Sequence, residues 1–371
     1  MDWKRNSRQH RSFFARMAAV LSAAILAAVV LMGVSGGSIQ ARATEEKSVA
    51  GLDGQQINRG AKQTIIIGDQ SYSEEEFQYC YRSVVEQFLV NANGYENLLG
   101  LDVSKPFSEQ NCMLASDGSS WEDFFMEEAF SMLTYISGAF QEAGAFADSV
   151  KTDAADYADQ IITSYQNNAE KADFASLDEY LSAEVGIDEA GLRRLAEQSY
   201  VSDRYAEQVK ASLSFTDEDL AAYYRDNVDR LRKYSYLYVF VGAQGYGSTS
   251  QTECVEKLRT ADTEQEFRQL AKELTGSEAI AISDISAEEI GNPEAEDSKW
   301  ITDSRRMVGD RYVGTNRADC YVLYWLSADD NGYPGTEDDK AEWKIISQEN
   351  LVQTAFDAWK TSLIEKYRAE Q

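Results

Sequence analysis

Histidine, the side chain most used for acid–base and metal chemistry near neutral pH, occurs once in this chain, at His10. It lies among Lys4, Arg5, Arg8, Arg11 and Arg16, ahead of the apolar run 17–34. A basic flank before such a run is an export signal, and the basic side stays in the cytoplasm. The folded part, from residue 44 onward, is therefore expected outside the cytoplasm and without an imidazole. That removes Ser-His-Asp and Cys-His catalysis, histidine general bases and histidine metal ligands together.

The other chemistry-bearing groups point less far. Gly242-Ala-Gln-Gly245-Tyr-Gly247-Ser-Thr sits between a predicted strand and helix, where a phosphate loop would sit. It lacks the lysine and does not match G-x-G-x-x-G, so it reads as a plain connection. Asp329-Asp330-Asn331-Gly332, with Glu337-Asp338-Asp339, invites calcium. An EF-hand wants its glycine sixth, whereas here it is fourth with Tyr333 fifth, and hairpin turn chemistry explains Asn-Gly without a metal. Among 63 acidic residues no carboxylate pair is specific, which leaves a glycosidase poorly supported. Cys80, Cys112, Cys254 and Cys320 could pair 80–112 and 254–320, each within one half of the chain. Free buried thiols are the preferred reading, and without C-x-x-C or a nearby histidine zinc has no case. No catalytic residue, cofactor or metal is expected.

Thirty-five Lys and Arg against 63 Asp and Glu give a net charge of −28. Six of those cations and one acid, Asp2, precede residue 44, so the exported part is more acidic still. Such a field repels nucleic acid, which is excluded as a partner. The apolar run is about the shortest that spans a bilayer, which favours a single-pass membrane anchor. Against that, Gly33-Val34-Ser35-Gly36-Gly37 breaks it, and Ala41-Arg42-Ala43 offers a small-x-small site for cleavage and secretion.

Residues 1–43 read as the basic tail and signal or anchor helix, and 44–63 as a stalk. Residues 64–233 read as a helical domain. A strand at 64–67 and a turn at Gly68-Asp69 precede a capping box at Ser73-Glu74-Glu75-Glu76. The helix it opens repeats Phe77, Tyr81, Val84, Val85 and Phe88. A second helix starts at Trp121, others cover 153–166, 176–185 and 188–212, and Thr216 caps one carrying Leu220, Tyr224 and Leu231. Residues 234–346 read as α+β: a strand at 234–241, a helix at 253–274, an acidic irregular stretch at 277–298, and strands at 312–313 and 320–326. A hairpin tip is expected at 329–339 before residues 342–346. The segment 347–371 is a closing helix with Phe356, Trp359, Leu363 and Tyr367 on its apolar face, expected to return to the helical domain.

The run Ser214-Phe-Thr-Asp-Glu-Asp-Leu-Ala-Ala-Tyr-Tyr224-Arg-Asp-Asn227 resembles the junction helix of the PrsA/SurA-type foldases. Ile65-Ile-Ile-Gly-Asp69 with Ser73-Glu-Glu-Glu-Phe77 is similar to that family's opening, and Gly186-Ile-Asp-Glu-Ala-Gly-Leu-Arg-Arg194 to the helix before the junction. Glu266-Phe267-Arg-Gln-Leu270-Ala271-Lys resembles the parvulin helix, and Arg306-Met-Val-Gly309-Asp310-Arg-Tyr-Val313 with Cys320-Tyr-Val-Leu-Tyr324 its closing strands. The resemblance implies a SurA-like helical chaperone domain followed by a parvulin prolyl isomerase domain. Active parvulins carry inward histidines on the first and last strands. Here Tyr238 and Tyr321 take those places, with Phe240 beside them, so the pocket is degenerate. The expected function is a foldase or holding chaperone for unfolded, newly exported polypeptides, attached to the membrane through the N-terminal helix. The alternatives are a working isomerase with tyrosines in place of histidines, and a non-catalytic cell-surface scaffold.

Overall fold

The computed structural model describes residues 64–92, 96–290, 292–335 and 341–369. The signal or anchor run, its cleavage motif and the stalk lie outside the described residues. Among the described residues no helix is long and apolar enough to cross a membrane. The chain is α+β and divides into two compact units, one ending at Ser212 and resuming at Ala355, the other Leu213–Thr354.

The first unit opens with an antiparallel hairpin, β1 (Ile65–Ile67) and β2 (Gln70–Tyr72). Helix α1 (Glu74–Ala92) follows, and its capping box forms. The Glu76 N–H donates to the Ser73 hydroxyl at 3.2 Å, and the Ser73 N–H donates to the Glu76 carboxylate at 2.7 Å. Ser120 and Asp123 make the same reciprocal cap on α2 (Trp121–Ala143). Helices α3 (Lys151–Lys171) and α4 (Glu189–Ser212) complete the bundle, with α4 packed against both α2 and α3. Phe88, Phe107, Trp121 and Phe125 meet with ring centroids 5.1–5.4 Å apart and are fully buried, each contributing about 1.5–3 kcal/mol of burial. Buried Glu76 also accepts from the Arg194 guanidinium through both oxygens, tying α1 to α4.

The second unit begins with α5 (Asp217–Leu231), capped by Thr216 and Asp219. Its sheet is antiparallel in the order β4 (Ile280–Ser286), β3 (Lys233–Val241), β6 (Asp319–Asp329), β5 (Arg311–Asn316). Helices α6 (Gln251–Arg259) and α7 (Glu264–Thr275) cover one face, where Leu237, Val239, Leu258, Phe267, Ala271 and Val322 form the core. The short helix α8 (Glu296–Thr302) lies on the other. The last helix, α9 (Glu342–Ala369), starts in this unit and ends in the first. There Trp359 makes edge contacts with Tyr135 and Tyr205, and Tyr367 lies on α2 at Gly138. A Cβ at Gly138 would stand 2.7 Å from the Tyr367 ring, which is why that approach requires glycine. The expected return of the closing helix to the helical domain is thus seen.

Several expectations need correction. Residues 253–274 form two helices, because Thr263 caps a new one by accepting from the Glu266 N–H. The stretch 277–298 is not irregular: it holds β4 and the start of α8. As an edge strand β4 is mostly exposed, so it carries no apolar alternation to betray it. Residues 342–346 are the first turn of α9 rather than a strand after a hairpin. Trp343 is buried against Tyr224 and Tyr333, and Ser347 one turn later is buried too, a helical spacing. The 329–335 segment is therefore no hairpin tip. Asn331 donates its amide to the Tyr224 hydroxyl and the Leu231 carbonyl, while Asp330 pairs with Arg232. Of the residues that suggested calcium, Asp330 and Asn331 thus join α5 to the end of β6, and Glu337, Asp338 and Asp339 lie outside the described residues. All four cysteines are free thiols, and Cys80, Cys112 and Cys254 are buried.

Candidate functional site

The alternation of β3 sends Leu237, Val239 and Val241 into the helix-covered core and Tyr236, Tyr238 and Phe240 to the opposite face. On β6 the same alternation sends Tyr321 and Leu323 to that face. The register pairs Phe240 with Tyr321 and Tyr238 with Leu323, so Tyr238 and Tyr321 are diagonal neighbours. Their rings stack with centroids 5.5 Å apart at 23°. The two strand positions singled out in the sequence therefore meet, although they are 83 residues apart in the chain. Phe240 lies one step outward, 44% exposed, and Ile280 on β4, opposite Tyr238 in register, is 56% exposed.

The face continues across β5. Tyr312 lies 6.4 Å from Tyr321, Trp300 of α8 stacks obliquely on Tyr312 at 5.5 Å, and the Arg306 guanidinium sits 5.3 Å from the Trp300 centroid. Gly314 makes room for the stack, since a Cβ there would fall 2.0 Å from the Tyr321 ring. The Tyr321 hydroxyl donates to Asp297 at 2.7 Å, which orients the ring. The Trp325 indole N–H donates to the Ile301 carbonyl at 3.1 Å and holds α8 down. Sequence reasoning missed Asp297 and Trp300, because they lie at the end of the stretch read as irregular and just past it. Glu296 and Asp297 in a first turn were the available signal for α8.

Desolvation, and then the hydrogen bond to Asp297, hold the Tyr321 phenol well above its ordinary range. Burial raises Tyr236, Tyr238 and Tyr312 as well. All four phenols are therefore neutral at physiological pH, able to donate and accept hydrogen bonds but not to act as general bases. The chemistry offered is stacking and apolar contact with orienting hydroxyls.

A second concave feature belongs to the helical unit. α1 and α3 stand apart over a floor made by α2 and α4, leaving an apolar chamber of about 120 Å³. Its walls include Tyr79, Cys80, Met132, Tyr157, Ile161 and Leu195. Burial pushes the Cys80 thiol up to about 12, so it is a neutral wall and not a nucleophile. Tyr79, Ser83 and Gln87 also border a more polar cleft of about 420 Å³, whose walls carry Arg82, Glu86, Tyr165 and Glu184. Compared with known proteins, the chain matches no protein-family model and no curated protein.

Proposed function

We propose that this protein is an extracytoplasmic holding chaperone of the PrsA/SurA type whose parvulin-like domain binds without catalysing isomerisation. The observation that carries this reading is the Tyr238–Tyr321 stack, which forms at the two strand positions where the resemblance puts inward histidines. Partly buried neutral rings bordered by the exposed Phe240 and Ile280 offer an adhesive surface for apolar side chains of unfolded chains. The phenols of this surface ionise far above neutrality and supply no general base. The acidic character of the chain, net −28, keeps such a surface soluble. The N-terminal apolar run supports export, with the folded part either anchored or released after Ala43.

Aggregation of a chemically unfolded model protein, followed by light scattering, tests the reading. Added protein should suppress scattering in proportion to its concentration, and Tyr238→Ser should weaken the effect. Undiminished aggregation at a molar excess would refute the reading.

A further inference from the structure

The two concavities of the helical unit share three residues and differ in character. The inner chamber is apolar and of a size to hold one aromatic ring or one branched aliphatic side chain. The outer cleft is polar, larger and crossed by the hydrogen-bonded pair Tyr79 and Tyr165. Its one cation, Arg82, donates to the Glu184 carbonyl at 2.8 Å and lies against Gly186. Glu86 and Glu184 are its acids, and the neighbouring cleft beyond residues 182–188 adds Glu75, Asp178 and Asp188. An occupant filling both spaces must carry an apolar group on a polar stem beside positive charge.

We propose that this site takes an extended polypeptide segment, with an aromatic or leucine side chain in the chamber and an adjacent lysine or arginine facing Glu86 and Glu184. The assignment rests on the holding function proposed above and names its substrate class. Charge complementarity chooses a basic partner over an acidic one, since two carboxylates and one arginine line the cleft and a separate cleft along the 182–188 segment carries three more carboxylates. A polypeptide suits the outer cleft better than a free apolar molecule does, because its amide backbone can meet the Gln87 amide and the tyrosine hydroxyls there.

The test is fluorescence anisotropy of the full chain with a blocked, labelled serine–glycine peptide carrying one phenylalanine followed by one lysine. Two control peptides replace the phenylalanine by serine or the lysine by glutamate. Wild type should bind the first peptide at least about tenfold more tightly than either control. Ala196→Leu, which extends a side chain into the chamber, should weaken binding at least about tenfold. Glu86→Lys, at an exposed position, should reverse the preference between the lysine and glutamate peptides. Equal affinity for all three peptides would overturn the proposal. So would unchanged binding by Glu86→Lys, which decides the matter if Ala196→Leu does not fold. Saturation by toluene with no peptide binding would assign the chamber to small apolar molecules and overturn it as well. Aggregation assays on both variants separate the two claims. Peptide binding without suppression removes the holding function and keeps the site, whereas suppression by a wild-type protein that binds none of the peptides removes the site and keeps the function.

Discussion

Asp203 offers a prediction that can be worked from the structure. It sits on the inner side of α4, only 5% exposed, facing Tyr135 of α2 and Tyr157 of α3. The charges nearest it are Glu207 and Arg204 of its own helix, and the Arg204 guanidinium is engaged by Glu207 at 2.7 Å. Desolvation first, then Glu207, pushes the Asp203 carboxyl up to about 8. An unfolded chain would hold it near about 3.9. A carboxyl raised in the folded state takes up a proton on folding throughout the interval between the two values. Its stability contribution is therefore best below about pH 4, falls as pH rises, and levels off above about pH 8. Within the interval the slope is about 1.4 kcal/mol per pH unit. Keeping the group folded at pH 7 thus costs up to about 4 kcal/mol relative to a neutral isostere. Asp203→Asn removes the titration and nearly keeps the shape. In thermal melts followed by circular dichroism, wild type should lose about 2–3 kcal/mol relative to Asp203→Asn between about pH 5.5 and pH 7.5. That is roughly 5–10 °C of relative melting temperature for a unit of this size. Parallel pH curves for the two proteins, or an Asp203→Asn variant less stable at pH 7.5, would refute the reasoning.

Three other substitutions test contacts inside one unit or the other. Glu76→Ala removes the buried partner of Arg194 together with the α1 cap, and should cost about 2–4 kcal/mol in urea melts, because Arg194 is partly solvated and can rehydrate. Gly138→Ala should displace Tyr367 from α2 at a cost of about 1–3 kcal/mol and raise amide exchange over the last turns of α9. Gly314→Ala should expel the Tyr321 ring, breaking its stack on Tyr238 and its bond to Asp297, with loss of the near-ultraviolet tyrosine signal and little change in helix content. Unchanged melts, exchange or spectra, respectively, would count against these contacts.

What could be read from the chain followed the strength of each local signal. The Ser73 and Thr216 caps form because hydroxyl and carboxylate lie three residues apart at the head of amphipathic runs. β3 was legible because its nine residues alternate between a buried face and a partly exposed one, in a strand flanked on both sides within the sheet. β4 was not, since an edge strand with acid at Asp284 and exposed isoleucine lacks that alternation, and its pairing with β3 decides it. The start of α9 was misread because five residues around Trp343 are too few to separate a period of two from one of 3.6. At the candidate site, Tyr238 and Tyr321 were reached through the resemblance and the register brings them together. Asp297 and Trp300 arrive on a seven-residue helix whose place depends on the Trp325–Ile301 hydrogen bond, a tertiary contact with no local signature.

The most direct measurement is refolding of a proline-limited model protein with this protein added, following the slow-phase rate and the final yield together. Holding without isomerisation predicts that yield rises in proportion to the protein added while the slow rate stays fixed. Phe240→Ser, at a half-exposed position where stability should change by no more than about 1 kcal/mol, should blunt the yield effect. Acceleration of the slow phase at substoichiometric protein would contradict it, and would make the tyrosine-lined face an isomerase site.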